Sequence, residues 1–101
     1  MDRPYETMYI VKPTLDDDAV DLIASKIDDQ IKSIGGTVEK TEKRGRKRLA
    51  YEVKDYKEGV YVLTTFKLPP DQIKELERLI KLNDDVIRHL IVRLEEQPAT
   101  P

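Results

Sequence analysis

The sequence predicts an α+β protein of the ferredoxin-like class, with a four-stranded antiparallel sheet and two helices on one face. Two observations predict this fold. Apolar and turn-forming residues divide the chain into strand, helix, strand, strand, helix and strand, and the length of 101 residues suits one domain. Right-handed crossovers would then place the first and third strands at the centre of the sheet and the second and fourth at its edges.

The first half of the chain begins with a strand and a helix. Residues 5–11, YETMYIV, are rich in β-forming residues and end before Lys12-Pro13. Thr14 and Asp16 are candidate N-caps for the helix that follows. Apolar residues then recur every three or four positions: Val20, Ile23, Ile27, Ile31 and Ile34. Gly35-Gly36 is predicted to end this helix in a left-handed turn.

The second strand is predicted over residues 37–53 and carries a change of parity. Val38 is even, whereas Leu49, Tyr51 and Val53 are odd, so they can share a face only if one extra residue intervenes. Gly45 is the natural site for such a bulge. Residues 55–59, DYKEG, are predicted to form the hairpin loop, and residues 60–68 alternate as a third strand.

A helix, a strand and a tail complete the chain. Pro70 is predicted at the first position of the second helix, whose apolar residues are Ile73, Leu76, Leu79 and Ile80. Asn83-Asp84 ends that helix, and residues 86–94 form the fourth strand. We therefore expect a single ferredoxin-like domain over residues 1–94 and a polar C-terminal tail over residues 95–101.

Composition excludes several classes of function. The chain has no cysteine, which rules out disulfides, thiolate metal sites and a cysteine nucleophile. Its apolar runs are too short to span a membrane, so we expect an intracellular, cytoplasmic protein. The only histidine, His89, lies in a strand without an obvious catalytic partner. Asp16, Asp17 and Asp18 suit a helix start better than a metal site. No enzyme activity, cofactor or small-molecule substrate is predicted.

The charge of the chain is strongly uneven. The net charge is −2, yet residues 38–54 carry seven Lys or Arg and only three Glu. Five of the six residues from Lys43 to Arg48 are basic, on a predicted edge strand. Edge strands use a few such charges to prevent aggregation, but this density exceeds that need. Arginines at Arg44, Arg46 and Arg48 suit phosphate oxygens, so binding of nucleic acid or of an acidic protein is predicted.

Base stacking is a less suitable mode of recognition here. An RNA-recognition motif shares this fold but places aromatic residues on the exposed face of its central strands. The third strand offers only Tyr61 for that purpose. Contact with the phosphates of helical RNA is therefore favoured. Basic residues elsewhere, namely Arg3, Arg88 and Arg93, could extend the basic rim.

Three segments resemble the family of the sixth protein of the bacterial small ribosomal subunit. They are Tyr5-Glu6, the stretch GRKRLAYEV from Gly45 to Val53, and LNDDVIRHLIVR from Leu82 to Arg93. The likeness covers about residues 3–94. It implies a ferredoxin-like ribosomal protein that is not an enzyme. It also implies binding to the central domain of small-subunit ribosomal RNA together with small-subunit protein eighteen.

The resemblance assigns roles to individual positions. Arg46, Lys47, Arg48 and Arg88 become the leading RNA contacts, with Arg3 carried over less directly because Pro4 follows it. Leu49, Ala50 and Tyr51 become packing residues that hold the strand. The complete set of expected ribosomal RNA contacts is Arg3, Arg44, Arg46, Lys47, Arg48, Arg88 and Arg93. The edge of the second strand is the expected docking side for the partner protein.

Two alternatives remain open on the residues alone. A small dimeric ferredoxin-like enzyme or ligand-binding regulatory domain would need a pocket of convergent polar groups, for example around His89. A protein-only interaction module would use the basic strand against an acidic partner.

Overall fold

A computed structural model describes residues 2–94 of the chain, so the predicted tail at residues 95–101 lies outside the described residues. The described residues form strands and helices in the predicted order. They are β1 (Arg3–Val11), α1 (Asp17–Ser33), β2 (Thr37–Val53), β3 (Tyr56–Leu68), α2 (Ile73–Lys81) and β4 (Val86–Arg93), with a 3₁₀ turn at Pro70–Gln72.

The sheet has the strand order β2-β3-β1-β4, and each neighbouring pair is antiparallel. The first and third strands therefore lie at the centre, as predicted, and β2 and β4 form the edges. This arrangement confirms the ferredoxin-like α+β fold. It leaves one face of the sheet uncovered by the helices, which we call the open face.

The core lies between the sheet and the two helices. Alternate residues of the central strands point to it, among them Tyr9 of β1 and Phe66 of β3, each completely buried. The predicted stripe of α1 packs on them through Ile27 and Ile31, which are also completely buried. Helix α2 contributes Leu76 and Ile80. The side-chain alternation in the strands thus separates a buried face from the open face.

Both ends of α1 are capped by the residues expected from the sequence. The carboxylate of Asp16 accepts a hydrogen bond from the backbone N–H of Ala19 at 2.8 Å. At the other end, Gly35 has a φ of 92°, and the N–H of Gly36 donates to the carbonyl of Ile31 at 2.9 Å. These bonds form a Schellman motif, which directs the chain from α1 into β2.

Strand β2 contains two separate bulges where one was predicted. The pairing with β3 shifts between Val38 and Lys40 and again between Lys43 and Gly45, whose φ is 88°. The bulge at Gly45 is confirmed. Two one-residue insertions restore the original parity, however, so Val38 does not share a face with Leu49. The prediction of a shared face was wrong.

A third irregularity bends the end of β2. Between the pairs Arg48–Glu58 and Val53–Tyr56, five positions of β2 face two of β3. The surplus residues 49–52 therefore leave the regular ladder. Leu49 and Tyr51 lie together with Ile10 of β1 around one small depression. The hairpin end thus turns toward the open face.

The hairpin connection is tighter than predicted. It consists of Lys54 and Asp55, with φ values of 50° and 70°, and Val53 pairs with Tyr56. Positive φ at both central residues defines a two-residue type I′ turn. The predicted loop at residues 55–59 was wrong because neither central residue is a glycine. Residues 56–59 belong to β3.

The start of the second helix also differs from the prediction. Pro70 opens a 3₁₀ turn, and the α-helix begins only at Ile73. Proline suits this position because the first residues of such a turn have no intrahelical partner for their N–H groups. The helix ends at Lys81, and the side chain of Asn83 donates to the carbonyl oxygen of Leu79 at 3.1 Å.

The two-residue turn leads to a prediction about stability. Asp55→Gly is expected to stabilise the protein by about 0.5–1 kcal/mol, because glycine adopts a positive φ without the Cβ strain of an L residue. Asp55→Ala is the matched control, since it removes the same carboxylate but keeps the Cβ atom. Urea unfolding followed by circular dichroism measures both changes. A gain for the alanine variant equal to that for glycine would contradict the turn geometry.

Candidate nucleic-acid interface

The predicted basic stretch lies on the edge strand β2, near the end of the sheet where β1 ends. Arg44, Arg46, Lys47 and Arg48 are all exposed. The register places Arg46 opposite Val60, which in turn lies opposite Val11, the last residue of β1. These side chains therefore project from one end of the sheet and not along its whole edge. We call them the basic cluster.

The bulge at Gly45 sets Arg44 apart from the other members of the cluster. The guanidinium of Arg44 lies 3.0 Å from the carboxylate of Glu42, which also pairs with Lys40. The hydrogen bond from Lys40, together with the charge of Arg44, lowers the pKa of the Glu42 carboxyl. Part of the positive charge at Arg44 is thus already balanced within β2.

Arg46 connects β2 to the loop between β1 and α1. Its guanidinium donates a hydrogen bond to the backbone carbonyl of Pro13 and lies 3.8 Å from the carboxylate of Glu58. Nearby, Lys43 pairs with Asp21 of α1 at 2.8 Å. These contacts hold β2 beside the helix layer. Arg46 consequently has a positioning contact in addition to its exposed charge.

Lys47 and Arg48 have fewer contacts than their neighbours. The Lys47 ammonium lies 5.7 Å from the centroid of the Tyr61 ring on the open face. Arg48 is paired in register with Glu58, and its side chain points to the opposite side of the strand. Within residues 2–94, neither side chain forms an ion pair with a carboxylate. These two cations are the most available to an external phosphate.

Arg88 joins the basic cluster from the opposite edge of the sheet. Its guanidinium carbon lies 5.3 Å from the centroid of the Tyr51 ring, and its Nη1 donates a hydrogen bond to the Tyr51 hydroxyl. The bend at the end of β2 makes this contact across the open face. Two strands that do not pair with each other thus place their cations at one end of the sheet.

The resemblance expected Leu49, Ala50 and Tyr51 to pack. Leu49 is half-buried, whereas Tyr51 is 60% exposed and supports the Arg88 guanidinium. The sequence analysis therefore missed Tyr51 as a member of the surface. An aromatic residue just after the basic run was the available signal, but its partner is 37 positions away.

Arg3 and Arg93 lie away from the basic cluster. Arg3 is paired with Leu68, and Arg93 with Tyr5, so both are near the start of β1. Arg88 is paired with Ile10 at the other end of the same strand. Seven residues of extended chain separate Arg3 from Ile10, or about 23 Å. Arg3 and Arg93 therefore form a separate region of the sheet surface.

The polar groups outside this surface do not form a recognisable catalytic or metal site. His89 is half-buried, and burial lowers its pKa. Asp16 of the predicted acidic run caps α1, which accounts for its position. Within residues 2–94, no group of histidine and carboxylate side chains could hold a metal ion. None of the helices there has the length and apolar character needed to cross a membrane.

The fold and the surface define a small ferredoxin-like protein whose cations gather at one end of the sheet. The sequence model of the family described as Ribosomal protein S6 matches residues 4–93, nearly the whole chain. The chain belongs to the ribosomal protein S6 family. The resemblance noted in the sequence is thereby confirmed.

Individual relatives agree with this assignment. The small ribosomal subunit protein bS6 of Moorella thermoacetica is 45% identical over 97 residues, covering 96% of this chain and 99% of the relative. The protein of the same name from Halalkalibacterium halodurans is also 45% identical, covering 93% and 99%. The crystal structure of ribosomal protein S6 from Thermotoga maritima has a TM-score of 0.75 at 28% identity, covering 93% and 89%.

Family membership establishes the general role of the chain. It is a structural, non-enzymatic protein of the small ribosomal subunit, and so belongs to the cytoplasmic ribosome. The alternative of a small ferredoxin-like enzyme is therefore not retained. The C-terminal domain of the MgtC protein from Mycobacterium tuberculosis has a TM-score of 0.63 but only 15% identity, which indicates a shared fold alone.

Proposed function

We propose that this chain binds the central domain of small-subunit ribosomal RNA, together with small-subunit protein eighteen, and contributes to assembly of that domain. The observation that carries the proposal is the convergence of Lys47 and Arg48 from β2 with Arg88 from β4 at one end of the sheet. Cations fixed in this way neutralise phosphates and orient the protein on folded RNA. Arg44 and Arg46 contribute at the margin, because both already have acidic neighbours.

Arg3 and Arg93 are retained as separate contacts in this proposal. Their distance from the basic cluster suits a second RNA segment or a second strand of the same helix. The tyrosines suit positioning of the cations better than base stacking, because Tyr51 is engaged by Arg88 and Tyr61 lies beneath Lys47.

The partner protein is proposed to dock at the outer edge of β2 and the adjoining open face. Within the described chain, β2 has a neighbouring strand on one side only, so its other edge can accept an extended segment. The open face also carries apolar side chains in one row, with Leu63 and Leu90 on either side of Met8. Leu90 is 62% exposed. An exposed apolar row of this kind favours a protein contact.

The mechanism of the proposed complex is additive. The chain alone presents few unpaired cations and an overall charge of −2, so its RNA affinity should be weak. A bound partner adds its own contacts and makes the second set of interactions intramolecular. Tight binding is therefore expected only for the pair of proteins.

A native pull-down with a ribonuclease-treated control tests the proposal. The tagged chain is expected to recover small-subunit ribosomal RNA and one small protein, and ribonuclease should remove the RNA while leaving the protein pair. Recovery of acidic proteins without RNA would favour the protein-only interaction module. Recovery of neither RNA nor a small protein would overturn the proposed function.

A further inference from the structure

A cleft lies beside the basic cluster, where the tip of the β2–β3 hairpin approaches the end of α2 and the start of β4. Its volume is about 370 Å³. Lys54 of the hairpin turn, Lys81 at the end of α2, and Arg88 and His89 of β4 line it. Val86 and Ile87 supply apolar surface. Three distinct elements thus bring basic side chains to one concave site.

The cleft differs from the rest of the protein surface in its charge. No carboxylate is among the side chains that line it, although the chain as a whole is acidic. By contrast, Arg44 and Arg46 of the basic cluster lie beside Glu42 and Glu58. Positive side chains around a concave surface attract an anion more strongly than the same charges on a flat one.

We propose that this cleft is a phosphate-binding site, formed by Lys54, Lys81, Arg88 and His89, that takes a backbone phosphate of RNA. The choice of RNA as the source of the phosphate rests on the proposed function. The cleft extends the RNA surface past Arg88, around the edge of β4 to the end of α2. Arg88 lies at the junction, since it lines the cleft and also stacks on Tyr51.

His89 provides a built-in reporter for the site. Burial lowers its pKa; Glu77 of α2 opposes this effect, and Lys81 of α2 adds to it. Tyr9 of β1 lies opposite His89 in the sheet register, and Arg88 and Lys54 line the same cleft. A phosphate among these groups stabilises the imidazolium and so raises the pKa of His89. Binding is then stronger below the His89 pKa of the free protein and weakens as the pH rises through the pKa of the complex.

The first experiment measures the titration of His89 by NMR. His89 is the only histidine in the chain, so its ring protons are identified without ambiguity. Adding inorganic pyrophosphate to the full chain is expected to raise the His89 pKa. The variant Lys54→Gln/Lys81→Gln should lose that response. The control Lys26→Gln/Lys67→Gln removes the same charge from exposed positions outside the cleft and should keep it.

The second experiment uses RNA and the partner protein. For the protein pair on central-domain RNA, Lys54→Gln/Lys81→Gln is expected to weaken binding on the order of 10-fold and to reduce the salt dependence by up to about two phosphate contacts. The control variant should bind within about twofold of the unaltered protein.

The outcomes separate this inference from the proposed function. A pyrophosphate response with no RNA binding by the unaltered pair would support a phosphate site and contradict the proposed function. RNA binding that the cleft variant leaves unchanged would overturn RNA as the occupant. An unchanged His89 titration with pyrophosphate and with RNA would overturn the site altogether.

Discussion

Replacing Arg46, Lys47 and Arg48 together by glutamine is expected to weaken binding of the protein pair to central-domain RNA on the order of 100-fold. Each charged hydrogen bond to a phosphate contributes about 1–2 kcal/mol, and three such contacts are removed. Lys47 and Arg48 should account for most of the loss, because Arg46 already contacts Pro13 and Glu58. Filter binding or fluorescence anisotropy at one fixed salt concentration measures the change.

The structure offers a matched control for this variant. Lys26, Lys32 and Lys67 are exposed lysines on α1 and β3, outside the basic cluster and the cleft. Their triple replacement by glutamine alters the net charge equally and should reduce affinity less than threefold. Arg44→Gln should likewise have a small effect, because Glu42 partly balances that charge. Equal losses for the two triple variants would show that only net charge matters and would contradict the assigned surface.

The second large effect concerns the core that holds the sheet in shape. Phe66→Ala is expected to destabilise the protein by about 3–5 kcal/mol, because the ring is fully buried and its removal leaves a cavity. The ring also stacks on Tyr5, with 5.8 Å between centroids. Phe66→Leu keeps most of the volume and should cost less than about 2 kcal/mol. Urea unfolding measures both free energies.

This core variant also tests how the surface depends on the fold. Folded Phe66→Ala protein should retain RNA affinity below its unfolding transition, because Phe66 lies on the face opposite to Tyr61 and the open-face contacts. A cost below 1 kcal/mol would contradict the buried packing of β3 against the helices.

Much of the architecture could be predicted from the sequence because the decisive signals are local. The stripe of α1 follows the helical period, and Gly35 marks its end at a positive φ. Gly45 likewise marks a bulge, since a residue with φ near 88° favours glycine. Chain order and crossover handedness then placed the basic stretch on an edge strand.

The predictions that were wrong concern positions where no special residue marks the backbone. Lys54 and Asp55 form the hairpin turn at positive φ without glycine, so the loop was placed too late. The bulge before Lys40 has no glycine either. One unrecognised insertion moves every later side chain to the other face, which is why Val38 and Leu49 were assigned together.

The composition of the candidate surface depended on contacts distant in sequence. Tyr51 meets Arg88 only because the end of β2 bends over the open face. Lys54 and Lys81 approach each other through the hairpin tip and the end of α2. Sequence spacing carries no signal for either meeting. Conversely, Arg3 and Arg93 were grouped with the basic stretch by charge, and the register separates them by most of the length of β1.

The affinity of the purified protein pair for central-domain RNA, measured across a series of salt concentrations, tests the central claim most directly. Contact of the basic cluster with phosphates requires the logarithm of the binding constant to fall linearly with the logarithm of salt concentration, with a slope of at least about −3. The variant Arg46→Gln/Lys47→Gln/Arg48→Gln should have a slope smaller by about 2–3. Tight binding that does not change with salt would contradict the phosphate contacts on which the proposed function depends.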